Sequence, residues 1–230
     1  MVSPLRGMHT VLFDLDGTLL DTYELLVRSF HHAVVDVLGH DESMEAYNRT
    51  IGKPLVDQFA LYASSEAQRD ALVESYRVYY ASIQHEALHE FPGMQRALED
   101  LRQAGFALGV VTSKRHDVAI ENLAQLGYEN LFDCFVGCDD VAAPKPDPEP
   151  VRLGARLMGA QPAACFYVGD SPFDMQAGNA AGAATVAVGW GQHPIDSLLA
   201  EGPRLVCAQP ADLPVAIARF AQGEGAACSR

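Results

Sequence analysis

Two aspartates separated by one residue, Asp14 and Asp16 in the segment FDLDGTLLDT, are the first groups in the chain placed to do chemistry. They follow the apolar run VLF, and Gly17 comes straight after, so a tight turn can fold the second carboxylate back over the first. Three further clusters follow later apolar runs. LGVV ends in Thr112-Ser113-Lys114, the run Cys134–Gly137 precedes Lys145 in KPDPEP, and CFYV ends in Gly169-Asp170-Ser171 with Asp174 close behind.

Carboxylates gathered at one place repel unless a cation lies among them. A donor set of oxygens, without His or Cys, suits Mg²⁺, which takes one or two protein carboxylates, phosphate oxygens and waters. A lysine and hydroxyl donors beside it suit a phosphoryl group. An oriented carboxylate can itself attack phosphorus and form an acyl phosphate. Asp14 is placed to attack. Asp16 is placed to protonate the departing alkoxide and then to take a proton from the hydrolytic water. For this the Asp16 side chain must stay off the metal, which it would meet only through its carbonyl.

The elements that must position these groups are legible in the pattern. The runs at 11–13, 108–111, 165–168 and 184–188 have the length and composition of buried strands. Met94, Ala97, Leu98, Leu101 and Ala104 repeat with helical period and stop at Gly105; Ala119, Leu123 and Leu126 do the same before Gly127. The alternation predicts an α/β protein with a doubly wound, Rossmann-like parallel sheet, whose ligands bind at the carboxyl ends of the strands. From about Thr22 to Glu90 the pattern is helical throughout, with Leu26, Phe30, Val34 and Val37 as one stripe and a long helix from Glu66 to about His89. This reads as a small all-helical insert at 22–90, within a core of 1–21 and 91–221, followed by a frayed tail at 222–230.

The bulk properties bound the function. With 230 residues, 49% hydrophobic and 20% charged, the chain can bury a sizeable core. A formal charge of −14 disfavours nucleic acid or an anionic membrane surface as partner. The N-terminal apolar run is too short for a signal peptide, and no stretch approaches a membrane span. Five cysteines without a pairing pattern fit a reducing, cytoplasmic setting, and Cys134 and Cys138 read as buried structural residues of a strand. Either a monomer or a dimer fits the sequence.

FDLDGTLLDT, VVTSK, KPDPEP and VGDSPFD, in this order, resemble the four motifs of the haloacid-dehalogenase-like hydrolase superfamily. The likeness spans about residues 9 to 190 and is closest to the helical-cap branch of phosphoglycolate phosphatases and pyrophosphatases. It implies Asp14 as nucleophile and Asp16 as general acid and base. Thr112, Ser113 and Lys145 would hold phosphoryl oxygens. Mg²⁺ would be held by Asp14, the Asp16 carbonyl and Asp170, with Asp174 and Ser171 in support. The expected substrate is a small organic phosphate monoester, with pyrophosphate or a hexose-phosphate mutase reaction as alternatives. Mutase-type relatives carry a histidine where Leu26 stands, which favours water as the acceptor. In capped relatives a loop at the place of the turn Thr50-Ile51-Gly52 descends over the site, which makes its flanking cations Arg49 and Lys53 candidates for substrate binding. The insert is expected to hinge near 20–22 and 89–92.

Simpler roles compete. Asp21 and Thr22 could cap the first insert helix, Thr112 and Ser113 the helix from about His116, and Asp174 could be a first-turn helix charge. A receiver-type signalling module also gathers acids, a hydroxyl and a lysine, but it lacks a helical insert. A dehalogenase acting at carbon has no use for Asp16, Asp170 and Asp174. His85-Glu-Ala-Leu-His89 spells a zinc-hydrolase motif, but Phe91-Pro92-Gly93 ends its helix at once and no third ligand follows.

Overall fold

The computed structural model describes residues 7–223. Residues 224–230 of the expected tail lie outside the described residues. Strands β1 (Thr10–Phe13), β4 (Ala107–Val111), β5 (Cys134–Val136), β6 (Cys165–Gly169), β7 (Ala184–Val188) and β8 (Leu205–Cys207) form one sheet in the order β5-β4-β1-β6-β7-β8. Every neighbouring pair in it is parallel. The strand order reverses beside β1, so the crevice at its carboxyl end is where a doubly wound fold binds ligands.

Side-chain alternation explains why β1 is apolar from Val11 to Phe13. Val11 and Phe13 point into the cluster containing Leu98 and Leu101 of α5 (Met94–Gln103) and Leu213 and Ile217 of α10 (Leu213–Ala221). Leu12 points the other way, among Val151 and Ala155 of α7 (Glu149–Leu157) and Ala177 of α8 (Pro172–Ala181). Both faces are covered, so the strand is apolar beyond its first residue, the buried Thr10.

A second, two-stranded sheet pairs β2 (Leu20–Asp21) antiparallel to β3 (His89–Glu90). Between these strands the chain is helical: α1 (Tyr23–Leu38), α2 (Met44–Asn48), α3 (Leu55–Ala60) and α4 (Glu66–Ala87). Their shared core is aromatic. Phe30 stacks on Phe59 at 5.5 Å between centroids and meets Tyr47 at 4.8 Å and Tyr62 at 5.3 Å. The stripe of α1 is rotated from the expected one: Leu25, Phe30, Ala33 and Val34 are buried, while Leu26 and Val37 are half-buried.

The zinc motif dissolves here. Helix α4 ends at Ala87, Leu88 leaves the helical region (φ −104°, ψ 121°), and His89 belongs to β3. His85 and His89 therefore share no helix face, because the helix expected to run to about His89 stops two residues short. Cys134 is buried in β5 as expected, but Cys138 lies beyond the strand in a 3₁₀ turn.

The connection from β5 to β6 contains α7, and α6 (His116–Gln125) and α9 (Ile195–Leu199) complete the set of helices described.

Candidate active site

Asp14 takes over where β1 stops, its amide still bonded to the Val168 carbonyl of β6 at 2.9 Å. The carboxylate is thus fixed at the centre of the sheet's carboxyl edge. Gly17 then turns the chain at φ +80°, a conformation that suits glycine, and closes on Leu20 through its amide (2.9 Å). Space makes the same demand. A Cβ on Gly17 would lie 2.3 Å from Asp170 Oδ2, and one on Gly191 would lie 2.2 Å from Asp170 Cβ. Asp170 is gripped between these two backbones. It accepts hydrogen bonds from the Thr18 hydroxyl (3.2 Å) and the Gln192 amide (2.7 Å).

Lys145 reaches into this cluster and donates to Asp14 Oδ1 (2.8 Å) and Asp174 Oδ1 (2.6 Å). Asp174 also accepts from the Tyr167 hydroxyl (3.0 Å) and, through its other oxygen, from the Ser171 amide (3.0 Å) and hydroxyl (2.5 Å). It is the third residue of α8 and closes a capping box with Ser171. The helix-charge role and the place at the site are therefore held by one side chain.

Asp14, Asp170, Asp174 and Lys145 are all buried. Oxygens of the three carboxylates lie within 4.8 Å of one another. Three acids against one ammonium leave an excess of negative charge, and the titration of Asp14 and Asp170 reflects it. Burial, then the neighbouring Asp174, pushes Asp14 up to about 7 against the pull of Lys145. Burial, followed by Asp14 and Asp174, raises Asp170 well above the carboxylate range. Burial opposes the charge on Lys145, but Asp14 and Asp174 outweigh it and hold the ammonium firmly protonated. A buried all-oxygen set with surplus negative charge fits a hard divalent cation such as Mg²⁺. Asp14 keeps one oxygen, Oδ2, without a protein donor, whereas both oxygens of Asp170 and of Asp174 accept from protein donors.

The second cluster sits beside the first. Thr112, whose amide bonds the Val136 carbonyl (2.9 Å), is buried at the end of β4 and accepts from the Lys114 amide (3.2 Å). The Ser113 hydroxyl is buried without a partner among the described residues, as an atom waiting for a ligand oxygen would be. Neither residue caps α6, whose N-cap is Arg115 without a side-chain bond. Thr22 likewise precedes α1 without capping it.

Lys114 is the residue that sequence reasoning passed over. Its ammonium donates to Asp16 Oδ1 (2.7 Å), Asn122 Oδ1 (2.8 Å) and the Tyr80 hydroxyl (2.9 Å). Burial works against this charge, yet Asp16 and Tyr80 outweigh it and raise the group. Asp16 is thereby drawn away from the carboxylate cluster and towards α4. The same helix bonds α6 further along, through Gln84 and Glu121 (2.6 Å).

A cavity of about 560 Å³ opens over both clusters, lined by Asp14, Asp16, Ser113 and Asp170 below and by residues of the helical insert above. The turn at Ile51–Lys53 forms part of its roof. A Cβ on Gly52 would lie 3.2 Å from Phe173, and His193 Nε2 donates to the Ile51 carbonyl (3.2 Å). Lys53 lines the cavity, its ammonium over the Phe173 ring. Arg49 does not: it is solvent-exposed and faces Glu45 at 3.9 Å, one helical turn back, so the structure withdraws it from the candidate binding residues.

Comparison with known proteins bears on the family and the fold. A family model described as haloacid dehalogenase-like hydrolase matches residues 11–188. The chain is 35% identical over 208 residues to the pyrophosphatase PpaX of Bacillus velezensis, covering 90% of this chain and 95% of that one. A solved structure from Haemophilus somnus, described as a predicted phosphoglycolate phosphatase, superimposes with a TM-score of 0.80 at 26% identity, covering 90% of this chain and 96% of that one. A beta-phosphoglucomutase from Clostridium difficile, 22% identical, shares the fold with a TM-score of 0.77 over 90% of this chain and 93% of its own.

Proposed function

This chain belongs to the haloacid dehalogenase-like hydrolases and is a phosphatase; from there we propose that it hydrolyses a small organic phosphate monoester with Mg²⁺, through a phospho-aspartyl intermediate. The observation that carries the reading is the division of the site into two clusters. Asp14 stands with Asp170 and Lys145, while Asp16 is held apart by Lys114.

In the first step an Asp14 oxygen attacks phosphorus and the ester oxygen–phosphorus bond breaks. Asp16 gives its proton to the departing alkoxide. In the second step water attacks the phosphorus of phospho-Asp14, Asp16 takes the water's proton, and phosphate leaves with Asp14 restored. Lys145 and the Ser113 hydroxyl, with Thr112 beside them, bind and orient the phosphoryl oxygens. Mg²⁺ would be held by Asp14, Asp170 and the Asp16 carbonyl, with Asp174 and Ser171 in support, and would neutralise charge between attacking and phosphoryl oxygens. Residues 22–90 act in this reading as a cap over a core of 1–21 and 91–221, and exclude bulk water from the cavity.

Pyrophosphatase is the second reading, favoured by the name of the Bacillus velezensis relative. For a mutase, Leu26 at the cavity wall offers no group to return the phosphoryl. A cytoplasmic setting belongs to the same proposal, supported by free cysteines at 134, 138, 165 and 207. Among the described residues no helix is long and apolar enough to cross a membrane.

The experiment is acid quenching during turnover of a phosphate ester labelled in its phosphoryl group. Label should be found on the peptide carrying Asp14 and be lost in Asp14→Asn. Turnover with label on no aspartate would refute the two-step route.

A further inference from the structure

We propose that Tyr47 and Tyr76 form the leaving-group subsite of this phosphatase, selecting an uncharged, carbon-rich alcohol that carries hydroxyl or carbonyl oxygens over a second phosphate. The inference rests on the phosphatase reading and names the substrate class within it.

Both tyrosines line the cavity over Asp16, and both are almost wholly buried, at 1% and 8% exposure. Tyr80, the third tyrosine of this wall, donates its hydroxyl to Asn122 Oδ1 and accepts from the Lys114 ammonium. Among the described residues the hydroxyls of Tyr47 and Tyr76 have no such partner, and neither is sealed off from the cavity. Burial, then the nearby Asp16 carboxylate, holds the Tyr47 phenol well above its ordinary range. Burial, then Tyr47, Tyr80 and Asp16, does the same for Tyr76. Both are therefore O–H groups at neutral pH, able to donate to a neutral oxygen without adding charge.

Much of the lining that the insert adds to them is apolar. Leu26, Ile51, Leu55 and Val56 belong to it, beside the polar Lys53, Gln58, Arg77 and Gln84. A second phosphate placed against these carbons would lose its hydration, and the ionisable groups around the cavity are in net acidic excess. Six carboxylates line it against four lysine and arginine side chains. Of those four, Lys114 is committed to Asp16 and Arg115 to Asp117 (2.8 Å). A polyol or sugar moiety meets the opposite conditions: its carbons cover the aliphatic wall and its oxygens take the two free hydroxyls. A cavity of about 560 Å³ is of the size that encloses a ligand larger than a diphosphate.

The test measures kcat/KM with Mg²⁺ for two polyol phosphates (sorbitol 6-phosphate and glycerol 3-phosphate), phosphoglycolate and pyrophosphate. For the wild type, a polyol phosphate should exceed pyrophosphate and phosphoglycolate by about tenfold or more. Tyr47→Phe and Tyr76→Phe should each lower the polyol-to-pyrophosphate ratio by about threefold to tenfold, the loss of one hydrogen bond. Val56→Lys, at a position 40% exposed and tolerant of charge, should lower the same ratio by speeding pyrophosphate. Circular dichroism checks that each variant is folded, and Val56→Lys keeps the test open if a tyrosine variant is not. Pyrophosphate or phosphoglycolate matching the polyols in the wild type, or a ratio unmoved by the folded variants, overturns the subsite. Failure to release phosphate from all four probes, with no label on Asp14, overturns the phosphatase reading and this inference with it.

Discussion

Lys114 and Asp16, 98 residues apart in sequence, are joined by a 2.7 Å ion pair that turns the Asp16 carboxylate away from Asp14, Asp170 and Asp174. Two aspartates one residue apart are thus given different electrostatic surroundings. Asp14 is left among acids, and Asp16 is held by an ammonium that also reaches the helical insert.

Removal of that ammonium should uncouple the pair. Lys114→Met is expected to lower kcat by about tenfold to a hundredfold, less than the loss for Asp16→Ala, which removes the proton carrier itself and should cost about 10² to 10⁴. Steady-state kinetics on one ester decides it; equal activity in Lys114→Met and wild type would show that Asp16 needs no such support.

Asp14→Asn should abolish turnover, by more than about a thousandfold, because an amide oxygen is no nucleophile for phosphorus. The thermal midpoint should not fall, since the substitution removes one of the crowded negative charges.

The metal-free protein should lose stability as pH rises. Asp14 titrates near 7 in the fold against 3.8 in an unstructured chain. Between those values the folded state retains a proton that the unfolded state has lost, so the stability present below about pH 4 declines up to about pH 7. In EDTA the melting temperature should drop across that window. Added Mg²⁺ should raise it more at about pH 8 than at about pH 5, because the ligands bind metal when deprotonated. A Mg²⁺ response equal at both pH values would contradict the carboxylate site.

Gly17→Ala should be far more damaging than its size suggests. The new methyl meets Asp170 Oδ2 at 2.3 Å in a backbone held at φ +80°. A stability loss of about 1–3 kcal/mol is expected from the backbone alone. Displacement of Asp170 should weaken Mg²⁺ binding as well, which titration calorimetry would detect.

Replacing both His85 and His89 with alanine should leave Mg²⁺-dependent hydrolysis within about twofold of wild type, as the two residues sit on different elements. Total loss of activity in a folded double variant would reopen a role for them.

The sheet and the positions of Asp14, Asp170 and Lys145 could be read from the chain because long-lived rules govern them. Buried parallel strands must be apolar throughout, and groups at their carboxyl ends converge. The short strands escaped. Leu20–Asp21, His89–Glu90 and Leu205–Cys207 are two or three residues long, too brief for any period to register. Lys114 lay in plain view inside VVTSK, but its role depends on Tyr80, which tertiary packing alone brings near. Arg49 failed for the complementary reason: charge and proximity in sequence do not reveal which side of a turn faces the cavity. Tyr47 and Tyr76 could be found only once α2, α4 and the core loops stood around one space, since single tyrosines in helices ordinarily read as core.

The hydroxyl of Tyr80 stands on α4, while the ammonium it touches holds Asp16. Whatever displaces α4 from α6 therefore changes the surroundings of the proton carrier, and linkage makes the effect reciprocal. By whatever factor the placement of α4 changes the proton affinity of Asp16, the charge state of Asp16 changes the placement of α4. A ligand that wedges α4 would then tune proton transfer without touching either aspartate.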